Sequence, residues 1–287
     1  MTVNTVRPII VLGAARSGTK LLRDALGEAA DVAPVPYDIN YVWRVGSEDV
    51  PHDQLDPTRA ARASPYIRRK VQEISKAARM GRRPLEKTVS NALRIPYVLR
   101  VYPEAQFVWL VRDGRDVTES AMRCWTQPPT SSDLAFKLRA FPFARNTRYA
   151  VKYAHRWVVQ RLSDDGQVSS WGPIYPGMAE DVQRLPLAEV CALQWSRTVE
   201  AYLTHRRLLP ADTIEVRYED LVQDPMDQLG RLADALHIGD FRAVELAAGR
   251  VVSGNVGKHR TAGILTPRVS SVLEPTLRKL GYTEEPT

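Results

Sequence analysis

The chain reads as an α/β fold in which a central, mostly parallel sheet is flanked by helices on both faces. Short apolar or β-branched runs alternate with longer segments of helical period. The first run ends in a glycine-bounded turn that opens into a helix, and a later run ends on an arginine before another helix start. Parallel neighbours need crossover connections, and the helical segments between the runs supply them. At 287 residues, 44% hydrophobic and 25% charged, the chain is long enough to bury a substantial core, and one domain over residues 1–287 is expected. Such a composition excludes disordered and membrane-spanning classes.

The elements follow in order. Pro8 to Leu12 is a β-branched strand and Thr19 to Ala29 the helix after its turn. Asp38 to Val42 reads as a shorter strand, and Thr58 to Met80 as a long helix. Leu85 to Val89 is a strand, Asn91 to Val101 a helix, Phe107 to Val111 a strand and Arg115 to Trp125 a helix. Between Thr126 and Pro186 the pattern changes. Prolines cluster, Arg145 to Leu162 looks helical, and Asp164 to Tyr175 is rich in Ser, Gly, Asp and Pro, as expected of a helical and irregular insertion covering a substrate. Regular alternation then resumes with a helix at Leu187 to Leu208, a strand at Thr213 to Val216, and helices at Pro225 to Leu236 and Thr266 to Leu280.

The turn after the first strand, GAARSGTKLLR, has the makings of an anion cradle. A strand ending in a tight turn points the first amides of the next helix at one spot, where the helix dipole also favours negative charge. Gly13 and Gly18 permit the backbone this needs, and Arg16, Ser17, Thr19 and Lys20 add cations and hydroxyls. Thr19 precedes Lys20, the reverse of the Walker order, which disfavours a magnesium–nucleoside triphosphate site. In FVWLVRDGRDVTESAM, Arg112 stands at a strand end and Ser120 eight positions later. Carboxyl ends of parallel strands gather at one edge, so two anion subsites there imply a ligand phosphorylated at both ends. Alone, Arg112 could pair only with Asp113 or Asp116.

A net charge of +7 favours an anionic partner without naming it. The basic runs Arg68-Arg69-Lys70 and Arg82-Arg83 lack interleaved aromatics, so a solvated helix face explains them better than a nucleic-acid groove. Cys124 and Cys191 form no disulfide framework, no Cys/His cluster has zinc-ligand spacing, and no secretory signal or spanning segment is evident. A soluble cytoplasmic protein is the expectation.

These segments resemble the sulfotransferases that use 3′-phosphoadenylyl sulfate (PAPS), a family with a P-loop-like fold. GAARSGTKLLR resembles the family's 5′-phosphosulfate loop. LVRDGRDVTES resembles its 3′-phosphate motif, with Arg112 and Ser120 at the phosphate-holding positions. In VRYEDLVQDP the resemblance places Tyr218 beside the adenine, although a core tyrosine is an equal alternative. SGNVGKHR resembles a glycine-and-basic loop closing over the 3′-phosphate, which implicates Gly257 and Lys258, with His259 where tryptophan is common. EKTVSNALRI resembles a Lys-Thr element that puts Lys87 near the transferred group, with Val89 where cytosolic relatives have a histidine base.

The resemblance implies a PAPS donor, no metal, and sulfuryl transfer to a hydroxyl or amine of a small-molecule, lipid, glycan or peptide acceptor. A hydroxyl acceptor needs a base, because its proton must leave during attack. Asp38, twenty-two positions after Arg16, corresponds to the carboxylate of several carbohydrate and protein-tyrosine sulfotransferases. Glu86 is second and His155 third. Arg16 and Lys87 would stabilise the departing oxygen, with Lys20 a third candidate and Asp38 taking the proton. Tyr149, Tyr153 and Trp157 recur as a buried helix stripe does, whereas Trp171 and Tyr175 sit in irregular chain where ring stacking on an acceptor is conceivable. A P-loop kinase of a small metabolite and a basic nucleic-acid-binding protein are the rival classes.

Overall fold

A computed structural model describes residues 7–126, 171–251 and 254–282. Five parallel strands form one sheet: β1 (Ile9–Leu12), β2 (Val32–Pro34), β3 (Arg83–Glu86), β4 (Gln106–Val111) and β5 (Ile214–Arg217), in the order β2-β3-β1-β4-β5. Central β1 is fully buried because the sheet is covered on both sides. Its side chains alternate between two cores. Ile10 and Leu12 join Phe107, Trp109 and Val111 on one face, while Ile9 and Val11 join Val108, Leu110 and Val216 on the other.

The first face is covered by helices α3 (Ala60–Ser75), α5 (Ile95–Val101), α8 (Leu187–His205) and α13 (Pro267–Lys279). Trp109 of β4 stacks on Tyr202 of α8 with ring centroids 3.9 Å apart. On the second face lie α1 (Thr19–Leu26), α10 (Pro225–Leu236) and α11 (Phe241–Ala248). A third apolar cluster seats α7 (Met178–Arg184) against α8 and α6 (Gly114–Thr126). The remaining short helices are α2 (Asn40–Trp43), α4 (Ala77–Met80), α9 (Tyr218–Gln223) and α12 (His259–Ala262).

Three expectations are corrected and one strand is added. Asp38 to Val42 is not a strand: Asn40–Trp43 coils into α2, with Val42 and Trp43 buried in the core. The edge strand is Val32–Pro34, only three residues and ending in proline, too short for an alternating pattern to register. The strand expected at Leu85 to Val89 ends at Glu86, because Val89–Leu93 winds into a 3-10 turn. The helix expected over Thr58 to Met80 is broken at Lys76, whose φ of 59° is left-handed. Most of the expected insertion, with Tyr149, Tyr153, His155 and Trp157, lies outside the described residues.

The strand order creates one special place. After β1 the chain turns through α1 toward β2, and after β4 it leaves through α6 toward the opposite edge, so the adjacent carboxyl ends of β1 and β4 flank a topological switch point. Ligands of open α/β sheets bind in the crevice such a divergence leaves.

Candidate active site at the carboxyl edge of the sheet

The turn after β1 is shaped by its neighbours. Gly18, at φ 94°, caps α1 without any side-chain cap, leaving the first-turn amides open. A Cβ there would sit 2.4 Å from the ring of Tyr218, so only glycine lets α9 close against the turn. Arg16 also adopts a left-handed angle, φ 71°. Two long-range bonds hold it there: Arg16 Nε donates to Ser120 Oγ at 2.9 Å, and the Arg16 carbonyl accepts from Arg112 Nη1 at 3.0 Å. The β1 turn, the end of β4 and the middle of α6 therefore meet at one point.

Arg112 is the hub of the contacts at the end of β4 and is 6% exposed. Its guanidinium lies 4.4 Å from the centroid of the Tyr218 ring and 3.7 Å from the Asp116 carboxylate, and Nη2 donates to the carbonyl of Asn255. Asp113 pairs with Arg115 instead, at 2.7 Å, and its amide donates to Glu219. Ser17 Oγ and Arg112 Nε are buried with no hydrogen-bond partner among the described residues, as suits donors aimed at an anion. A ligand carrying phosphates at both ends fits such a pair of cradles.

On the other side of β1, Lys87 follows directly on β3, next to the β1 turn in the sheet. Its ammonium is 2.5 Å from Asp38 Oδ1. Lys87 is nearly buried, while the Asp38 side chain is 36% exposed and reaches solvent. The chain around Asp38 is fastened at both ends. Arg23 Nη1 donates to the carbonyl of Pro36 at 2.8 Å, and the amide of Ile39 donates to Thr88 Oγ1 at 3.0 Å. One residue on, Asn40 donates to Asp53 and accepts from Arg94 Nη2.

Glu86 stands in a different environment. It is 1% exposed and accepts from Thr88 Oγ1 at 2.5 Å and Asn91 Nδ2 at 2.8 Å. Burial pushes its carboxyl up. Those bonds tie it into the polar interior behind the site.

A family model described as "Sulfotransferase family" matches residues 8–168 and 168–241. The chain belongs to the sulfotransferase family. A sulfotransferase domain from the curacin biosynthetic pathway superposes with a TM-score of 0.54 at 15% identity, over 96% of this chain and 98% of that one. The sulfotransferase domain of the Synechococcus PCC 7002 olefin synthase gives 0.55 at 15% identity, over 98% of each chain. At that identity the likeness establishes the fold. An uncharacterised protein of Aquifex aeolicus (strain VF5) is 27% identical over 238 residues, 74% of this chain, and this chain spans 29% of that relative's length.

Within this sulfotransferase, the residues singled out in the sequence divide by place. Arg16, Ser17, Gly18, Thr19, Arg112, Ser120 and Tyr218 surround the switch point, with Gly257 beside them through Asp116. Lys20 is not drawn in: it lies on the exposed side of α1, 3.9 Å from Asp24. Lys258 sits at the rim, with Nζ donating to Asn255 Oδ1 at 2.6 Å. Tyr175 does not face an acceptor. It is 2% exposed in the third cluster and its hydroxyl donates to Asp181, so the stacking role is withdrawn; Trp171 packs against that cluster too. Sequence reasoning missed Thr88, which fastens the Asp38 segment, and Asp116, named there only as a salt-bridge alternative. Among the described residues, no cluster of His, Cys, Asp or Glu could hold a metal, and no helix is long and apolar enough to cross a membrane.

Proposed function

We propose that this sulfotransferase moves a sulfuryl group from PAPS to a hydroxyl, or an amine, of a small-molecule, lipid, glycan or peptide acceptor. The observation that carries this is the Arg16 Nε bond to Ser120 Oγ, which joins the two anion motifs at one sheet edge. The phosphosulfate lies on the β1 turn, held by Ser17, the amides of Gly18 and Thr19, and Arg16. Arg112, Ser120 and Lys258 hold the 3′-phosphate, Gly257 shapes the loop that carries Lys258, and Tyr218 borders the adenine.

The acceptor oxygen attacks sulfur in line, the bond from sulfur to the bridging oxygen breaks, and 3′,5′-diphosphoadenosine leaves. Arg16 and Lys87 stabilise the charge that grows on that oxygen, each such donor being worth about 3 kcal/mol of barrier by analogy with oxyanion holes. Asp38 takes the proton released by the acceptor. Asp38 and Lys87 form a direct ion pair. A donor that draws the Lys87 ammonium onto its phosphosulfate leaves the Asp38 carboxylate to the acceptor, which orders binding with donor first.

Calorimetry with 3′,5′-diphosphoadenosine in a chelator tests the donor. Saturable one-to-one binding without magnesium is expected, and a preference for magnesium-ATP would overturn it in favour of a small-metabolite kinase. Screening hydroxyl and amine acceptors with radiolabelled PAPS then reads the acceptor class.

A further inference from the structure

The chain that lies across the Arg112 side of the site, from Gly254 to α12, is held by a carboxylate to which the sequence alone assigns no such role. Asp116 is in the first turn of α6, four residues after Arg112, and its carboxylate lies 3.7 Å from the Arg112 guanidinium. Its carboxylate is 1% exposed. Oδ2 accepts from the amide of Gly257 at 2.7 Å, and Oδ1 from the amide of His259 at 3.1 Å. His259 Nδ1 lies 2.8 Å from the same Oδ1, and because a carboxylate only accepts, Nδ1 carries the proton. The backbone of Lys258 is thus clamped on both sides. Arg112 Nη2 completes the arrangement by donating to the Asn255 carbonyl.

A carboxylate 3.7 Å from the Arg112 guanidinium would compete with a bound phosphate if its charge were free. Two amides, an imidazole N–H and the guanidinium engage it instead, and such charge-assisted bonds are strong when desolvated. Its charge is directed into fixing the loop.

We infer that Asp116 and His259 form a latch that sets the loop of residues 254–260 beside Arg112, so that the amide and the ammonium of Lys258 face the 3′-phosphate of the donor. Both are positioning residues and touch no reacting atom. The inference rests on the donor assignment above.

Binding and proteolysis together test it. Calorimetry compares 3′,5′-diphosphoadenosine with adenosine 5′-monophosphate for Asp116→Asn, His259→Ala and His259→Asn, and trypsin probes the nucleotide-free proteins at Lys258 and Arg260. Asp116→Asn and His259→Ala are expected to weaken the diphosphate about tenfold or more and the monophosphate less than about twofold. His259→Asn, which puts an amide N–H near the place of Nδ1, should recover most of the loss. Cleavage at the loop should accelerate several-fold in His259→Ala. Unchanged diphosphate affinity, equal losses for both nucleotides, or unchanged cleavage would overturn the latch. Should Asp116→Asn not fold, the His259 pair carries the test alone. A parent chain that binds the two nucleotides equally would overturn the donor assignment instead, and the cleavage rates would still decide the latch.

Discussion

Arg16 holds a left-handed backbone angle, φ 71°, that costs a residue with a Cβ about 1–2 kcal/mol. Arg112 offsets that cost through the Arg16 carbonyl, so it shapes the first cradle as well as serving the second. Arg112→Ala is therefore expected to weaken 3′,5′-diphosphoadenosine by about 2–3 kcal/mol, the scale of a charge-assisted contact left unmade; unchanged affinity by calorimetry would remove Arg112 from the site. The two carboxylates beside Lys87 separate in the same way. Asp38→Asn should leave nucleotide affinity intact and lower turnover about a hundredfold or more, in line with loss of a general base. Glu86→Gln keeps an oxygen to accept from Asn91 Nδ2, turns its new amide N–H toward the Thr88 hydroxyl, which can accept, and removes a buried charge, so turnover should stay near normal. The reverse pattern in steady-state rates would exchange their roles. Arg112 and Ser120 were legible because they stand eight positions apart within one strand-to-helix segment, whereas Asp116 finds its partners 141 and 143 positions away, a distance no local pattern reports.

Elements were legible where periodicity and burial agree. Alternate residues of β1 and β4 feed opposite cores, and Pro225–Leu236 begins at a proline and is capped by Asp224. The misses have local causes. α9 and α11, of six and eight residues, are too short to establish a period against their flanking acids. Helix signals run straight through Lys76, yet the chain turns there so that Arg83–Glu86 can enter the sheet. Lys76 sits at φ 59°, ψ 16°, where glycine carries no steric cost. Lys76→Gly should accordingly raise unfolding stability by roughly 1 kcal/mol in urea titration, with the denaturant slope unchanged. A loss of stability would mean that the lysine side chain contributes more than its backbone costs.

At the scale of the whole molecule, the sheet order brings distant segments to one edge, and its behaviour in acid follows from how those segments are charged. Two buried carboxylates join chain far apart in sequence. Asp53 accepts from Asn40, Ser90 and the amide of Ile174, and Asp116 from Gly257 and His259. Burial alone would push both up. The Arg94 charge and the bonds to Asp53 outweigh it, as do the His259 and Gly257 bonds to Asp116, which bring Asp116 down to about 2. An unfolded aspartate titrates near 3.8, so below that value the unfolded chain binds protons that the folded chain refuses. Both contributions are complete above about pH 4, and that of Asp116 is lost as pH falls toward 2. Glu86 acts in the opposite sense: its raised carboxyl favours the folded chain at low pH and penalises it as pH rises. Thermal unfolding followed from pH 5 to pH 2 should show a steep fall in the parent chain and a shallower one in Asp116→Asn, which has no proton to take up at that position. Parallel curves for the two proteins would show that the carboxylate joining α6 to the 254–260 loop carries none of the acid sensitivity.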